Sequence, residues 1–392
     1  MAETPFDIAT RRDLAGHFEH RMNRSYVALR QGRRLPYDSS LVKTYLVEAH
    51  VPGGGGHDDV VRLLRGIACD STGPFRAPHD AVRETAEELF VALVLPTARP
   101  GAEARIYVDA SDPRFWLLHS MEASHRVDWC VQRLTRSSTN LDTAWLFVAL
   151  LERVANMGAF RGLGLDYDRR PLLDSHDGDE PTVTFLKMQL WGNRAREVLE
   201  TLRRAEAFPH ETTLAKVKVK FWLDGRREAF SVDDVKFNGK VTARGTSFQC
   251  HLALLGELYG RYARIIEAIE SRARVTWEEV GGGRRVSGVP VYFRFARDAG
   301  TPTELCARLF TCAEPFRLWG VPTPVSDDYI RVSAVDLHAG QPLALEITRE
   351  WIRVYLHRSS CGNTIARLLT NLQHTIDAQV EAEIDGLRLS EL

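Results

Sequence analysis

Hydrophobic and polar positions change period repeatedly along this chain, and each change marks out an element. A polar helix is predicted near residues 10–31, followed by a strand at 43–50, the loop Pro52-Gly53-Gly54-Gly55-Gly56 and a short amphipathic helix carrying Val60, Val61, Leu63 and Leu64. Another helix is expected from a cap at Asp80 to about residue 93, stopping before Pro96. Residues 105–108 and 114–118 read as strands. Helices follow at about 124–136 and 141–157, the second on a stripe of Trp145, Val148, Leu151 and Val154 that ends at Gly158.

Residues 169–181 collect Asp, Gly, Ser and Pro without any period and read as a linker. The expected division is an N-terminal α+β domain at 1–175 and a C-terminal α+β domain at 182–392. Past the linker, 182–190 looks extended, 193–205 helical, and 213–223 alternates, with Asp224-Gly225 and Asn238-Gly239 as hairpin turns. A long helix at about 247–272 buries Leu254, Leu255, Leu258, Tyr262, Ile265, Ile266 and Ile269. A glycine turn at 281–283, strands at 289–295, 329–337, 343–348 and 351–357, a helix at 303–311 and a closing helix from 363 through about 384 complete the pattern. Hairpins with helices between them give the fold class: α+β, with antiparallel hairpin-rich sheets and interleaved helices in two domains, and not a parallel doubly wound sheet.

Composition narrows the function. A chain of 392 residues with 44% hydrophobic content has material for two cores. Its charges nearly cancel, at −1, so binding to a polyanion or an anionic lipid surface must come from a local patch. The first residues have no signal-peptide pattern, and the apolar runs fall well short of the roughly 20 residues of a membrane span, so a cytoplasmic protein without membrane contact is expected. Six cysteines at 69, 130, 250, 306, 312 and 361 form no CxxC pair and read as reduced thiols. Only seven lysines occur among 51 basic residues, a bias that points to a GC-rich bacterial genome.

Most candidate motifs have plainer readings. The glycine loop 52–56 lies between a strand and a helix, as a phosphate cradle does, but it lacks the Lys-Ser/Thr of a P-loop and leads into Asp58 and Asp59. It reads as a surface loop. Cys361 and Arg367 have the C-x5-R spacing of tyrosine-phosphatase loops; with six cysteines and this much arginine about 0.7 such spacings arise by chance, and Cys130 with Arg136 is a second. Cys361 is therefore expected to be a buried thiol or one at the helix cap. His17 and His20 share a helix face without an identifiable third ligand. The closing helix, with Ile365, Leu368, Leu369, Leu372, Ile376 and Val380 opposite Arg367, Asn371, Gln373, Asp377 and Glu381, is expected to pack on the preceding strands or to dock a partner.

Two features keep a functional reading. In the loop around 166–180, Asp174, His176, Asp177 and Asp179, with Asp166, Asp168 and Glu180 nearby, offer oxygen and imidazole ligands for a divalent metal. In the strand after it, Lys216, Lys218 and Lys220 alternate with Val217, Val219 and Phe221, which puts three ammonium groups on one sheet face. Lys236, Lys240 and Arg244 on the adjoining hairpin extend that face, and Trp222 lies beside it. The expected function is a non-catalytic binding or assembly component of a bacterial cytosolic system, working with another protein and contacting nucleic acid or a phosphorylated ligand through the lysine face. The competing expectation is a metal-dependent phosphodiesterase or nuclease using the acidic loop, with a divalent metal as its only cofactor.

Overall fold

The computed structural model describes residues 8–32, 41–170, 183–205, 208–223 and 227–392. In chain order the elements are α1 (Arg11–Arg30), β1 (Val42–Ala49), α2 (His57–Ala68), β2 (Val82–Glu84), β3 (Phe90–Pro96), β4 (Glu103–Asp109), β5 (Phe115–Ser120), α3 (Ser124–Arg136), β6 (Leu141–Thr143) and α4 (Val148–Ala155). Then come β7 (Ala159–Asp168), β8 (Phe185–Trp191), α5 (Ala195–Arg204), β9 (Leu214–Phe221), β10 (Ser231–Lys236), β11 (Lys240–Gly245) and α6 (Phe248–Ala273). The last part holds β12 (Arg274–Val280), β13 (Gly283–Ser287), β14 (Val291–Arg294), α7 (Pro302–Leu309), β15 (Leu318–Ser326), β16 (Tyr329–Asp336), β17 (Gln341–Ile347), β18 (Trp351–His357), α8 (Asn363–Thr375), β19 (Glu381–Ile384) and β20 (Leu387–Arg388). The fold is α+β, built on antiparallel sheets.

Two compact units share the chain by turns. The first takes Met1–Ala144, Met157–Ala159 and Lys218–Tyr259; the second takes Trp145–Asn156, Phe160–Val217 and Gly260–Leu392. The units therefore do not fall at 1–175 and 182–392. Of the expected linker at 169–181, all but residues 169 and 170 lies outside the described residues, as does the Asp224-Gly225 turn.

In the first unit the strands run β2-β3-β4-β5-β1-β11-β10, with β6 also on β1 and the end of β9 beside β10. This sheet is covered on both faces. On one side Val47, Leu93, Ile106, Trp116 and Leu118 meet Val60, Val61 and Leu64 of α2 and Val127, Val131 and Leu134 of α3. On the other, Val42, Phe90 and Tyr107 meet Phe18 and Met22 of α1 and Phe248 at the start of α6. Burial on both faces explains why the helix expected at 80–93 is instead β2, a loop and β3. A strand with two apolar faces carries a continuous apolar run, which period alone does not separate from a buried helix. For a related reason the helix expected at 141–157 shrinks to α4, because Leu141–Thr143 pairs with β1 as β6.

The second unit holds the strand order β15-β16-β17-β18-β14-β19-β20, the hairpin β7-β8, and a ribbon β12-β13 that joins the end of β18 through Arg274 and Val275. Here alternation is clean: Ile330, Val332, Leu345, Ile347, Ile352 and Val354 are buried, while Arg331, Glu346, Arg353 and Tyr355 stand on the opposite face. All thirteen residues of α8 are buried, polar ones included. Its polar stripe is met by partners instead of water: Asn371 Nδ2 donates to the Pro315 carbonyl at 2.9 Å, and Gln373 accepts from Val148 N–H at 3.0 Å while donating to the Val380 carbonyl at 3.1 Å. The closing helix predicted to about 384 stops at Thr375. Beyond it the buried Asp377 carboxylate accepts the Ala296 and Gln379 N–H groups at 2.7 and 2.9 Å, and the chain continues as β19 against β14.

Candidate functional site

The basic face predicted from the lysine alternation exists as one side of β9, β10 and β11. Asp234 lies opposite Thr242, and Val232 opposite Arg244, so Asp234, Lys236, Lys240, Thr242 and Arg244 point the same way. An ion pair of 3.2 Å from Lys218 to Asp234 places Lys218 and Lys220 on that side too. The hairpin that aligns them is the predicted Asn238-Gly239 turn. Gly239 has φ of +70°, and a Cβ there would come within 2.8 Å of the Ala144 carbonyl, so the turn requires glycine twice over.

Side-chain surroundings divide these cations. Lys240, 5% exposed, holds Asp128 of α3 with Nζ 2.5 and 2.7 Å from its two oxygens. The Tyr45 hydroxyl donates to the same carboxylate at 2.5 Å, and burial together with that negative neighbour keeps the phenol protonated far above its ordinary range. Lys218 is buried and ion-paired with the half-buried Asp234. The Lys220 ammonium sits 3.8 Å from the centre of the Phe230 ring, and in the second unit Lys216 sits 4.7 Å from that of Trp191. Lys236 and Arg244 are half-buried and meet no carboxylate among the described residues.

A second constellation was not visible in the sequence. In the interior of the first unit Ser231 Oγ donates to Asp233 Oδ2 at 2.5 Å, Asp233 Oδ1 is 2.6 Å from His251 Nδ1, His251 Nε2 is 2.8 Å from Thr44 Oγ1, and that hydroxyl is 2.9 Å from His119 Nδ1. One direction of donation satisfies every atom: His119 to Thr44, Thr44 to His251, His251 to Asp233. The Asp-His-Thr order is that of a nucleophilic triad. Access decides against that chemistry, because Thr44, Asp233 and His251 have no exposed surface and the rings of Phe18 and Phe248 pack edge-on to His119. Burial, with His251 close by, holds His119 neutral to well below its usual range. The chain of bonds braces β1, β5, β10 and α6. Partners 207 residues apart leave no local spacing from which to read it.

In the second unit, Arg367 is ion-paired with Asp336, whose Oδ2 also accepts the Thr364 hydroxyl at 2.6 Å and whose Oδ1 accepts the His338 N–H at 2.9 Å. The C-x5-R arginine is thus committed to a carboxylate, and Cys361, buried as expected, accepts the Asn363 N–H at 3.2 Å. Cys130 lies inside α3, where burial pushes its thiol up to about 12. The predicted metal ligands Asp174, His176, Asp177 and Asp179, with Glu180, lie outside the described residues. Their described neighbours are in ion pairs, Asp166 with Lys187 at 3.3 Å and Asp168 with Arg170 at 2.7 Å.

An α+β protein whose two units are threaded through one another in sequence, with a basic sheet face on the first, is the class defined by these features. A model of the MJECL33-like protein family matches residues 2–388, and the chain belongs to that family. The uncharacterized protein MJECL33 of Methanocaldococcus jannaschii is 27% identical over 413 residues, covering 97% of this chain and 95% of that protein. No solved structure matches the chain. The expectation of a bacterial protein is corrected by this comparison, since the relative is archaeal. Arginine in place of lysine reports nucleotide composition, which does not separate the two domains of life. Among the described residues no helix is long and apolar enough to cross a membrane.

Proposed function

We propose that the first unit binds nucleic acid through the β9-β10-β11 face. What carries this reading is the β10-β11 register together with the Lys218–Asp234 ion pair, which put Lys218, Lys220, Lys236, Lys240 and Arg244 on one side of three adjacent strands in a chain whose overall charge is −1. Phosphate contacts supply most non-specific affinity for nucleic acid, and a sheet face with interleaved aromatic rings follows a flexible backbone. Lys220, Lys236 and Arg244 make the phosphate contacts, while Lys218 and Lys240 are held by Asp234 and Asp128 and fix the strands and α3 in place. Anisotropy titration of a fluorescein-labelled 20-mer at two salt concentrations tests this. Changing Lys220, Lys236 and Arg244 together to Gln is expected to weaken binding at least tenfold and to lower the salt slope by about 2 to 3. No binding by the wild-type chain at low salt, or an unchanged slope in the triple variant, overturns the reading.

A further inference from the structure

A cleft of about 990 Å3 opens elsewhere in the first unit, between α2, the loop 70–77 and the end of α3. We infer that it is a binding site for a small organic phosphate. The loop that forms one wall is closed on α2 by the Ala77 N–H bond to the Ala68 carbonyl at 2.9 Å. Its Phe75 side chain is buried, edge-on to Trp129 of α3 with ring centres 5.8 Å apart. Between the buried Phe75 and Ala77, Arg76 is left pointing to solvent from a left-handed backbone, φ +49°, which a non-glycine residue adopts only at a cost. The same Trp129 ring serves a second guanidinium, for Arg133 sits 4.8 Å from its centre. Two arginines thus line one cleft beside this aromatic pair.

The charges of the cleft decide the ligand. Its two acids are already engaged: Asp59 with Arg62 at 2.8 Å, and Asp70 with the N–H and hydroxyl of Thr72 at 2.7 and 2.8 Å. Neither Arg76 nor Arg133 meets a carboxylate among the described residues. Two guanidinium forks, with Ser137 and Asn140 also lining the cleft, offer more donors than one carboxylate accepts, and they match a phosphate. Leu63 and Ile67 line the remainder and suit an organic body of small-molecule size.

The test is calorimetric titration of the full chain with inorganic pyrophosphate at physiological salt. Saturable 1:1 binding is expected, weakened about tenfold or more in R76G/R133Q. R76G alone also weakens it and folds at least as well as the wild type, because glycine suits the left-handed backbone. A quench of Trp129 fluorescence, read as the signal lost in W129F, reports occupancy of this cleft in the otherwise unaltered protein. Absence of binding at millimolar pyrophosphate, equal affinity in R76G, or loss of binding in K220Q/K236Q/R244Q with R76G unaffected overturns the inference. The last result would assign the probe to the basic face, so failure here is separable from failure of the nucleic-acid reading.

Discussion

His251 Nδ1 lies 2.6 Å from Asp233 Oδ1, and neither side chain has any surface exposed to water. A carboxylate without solvent depends on its hydrogen bonds, so removing the ring leaves a charge with one remaining donor, Ser231. His251→Leu is therefore expected to cost about 3 kcal/mol, and Thr44→Val, which only uncouples the two imidazoles, about 1 to 3 kcal/mol. Urea unfolding of both variants checks the order. A fluorophosphonate probe should leave Thr44 unmodified in the folded chain, and labelling there would reopen the nucleophile reading.

Arg367 and Asp336 make the corresponding pair in the second unit. Burial pushes the Asp336 carboxyl up, but Arg367 and His338 outweigh it and hold the group far below the usual carboxylate range. Arg367→Met is expected to cost about 3 to 5 kcal/mol at neutral pH, and Asp336→Asn added to it to recover part of that loss. Because the folded group titrates below its unfolded value, the stabilisation is full above about pH 4 and fades as pH falls further. The gap between wild type and R367M should narrow in that acid range, as measured by urea midpoints; a gap that widens with acid would contradict the assignment.

His374 acts in the same sense, over a less acidic window. Its Nδ1 lies 2.6 Å from the Asp166 carbonyl, and burial lowers the imidazole to about 4. The unfolded chain takes up this proton first, near pH 6.5, so stability falls as pH drops from about 6.5 to about 4, by up to about 3 kcal/mol. His119 contributes in the same direction. His374→Gln keeps a donor for the carbonyl, and the pH dependence of its melting temperature should be shallower across that window, though not flat.

Features carried by local pattern were legible in the sequence, and those fixed by distant partners were not. The spans of α1, α3 and α6, the alternation of β9 and the Asn238-Gly239 turn follow from period and turn chemistry within a few residues. The lysine face was readable for the same reason. β3 reads as helix in the sequence because both of its sides are covered, and the ribbon β12-β13 leaves no pattern because Trp277 and Val286, 71% and 50% exposed, give it no buried side to alternate against. The all-round burial of α8 was hidden since its polar side chains look like a solvated face until Asp336, Pro315 and Val380 are seen to meet them. Arg76 and Arg133 gave no signal, being 57 positions apart and joined only through Phe75 and Trp129.

The pairing of β1 with β11 joins Val42 to Ala243 and Tyr45 to Lys240, so a central strand of the first sheet finds one neighbour about two hundred residues later. During synthesis, the stretch that will form β1 leaves the ribosome long before β10, β11 and the start of α6 exist. Until then its inner edge lacks a neighbour, and Thr44 waits for His251. Assembly of the first unit is therefore a late event that spans synthesis of the interposed segments of the second, and a ribosome stalled before about residue 259 carries an unfinished sheet. The order of segments along the chain, and not only the stability of the finished molecule, governs how long that edge stays open.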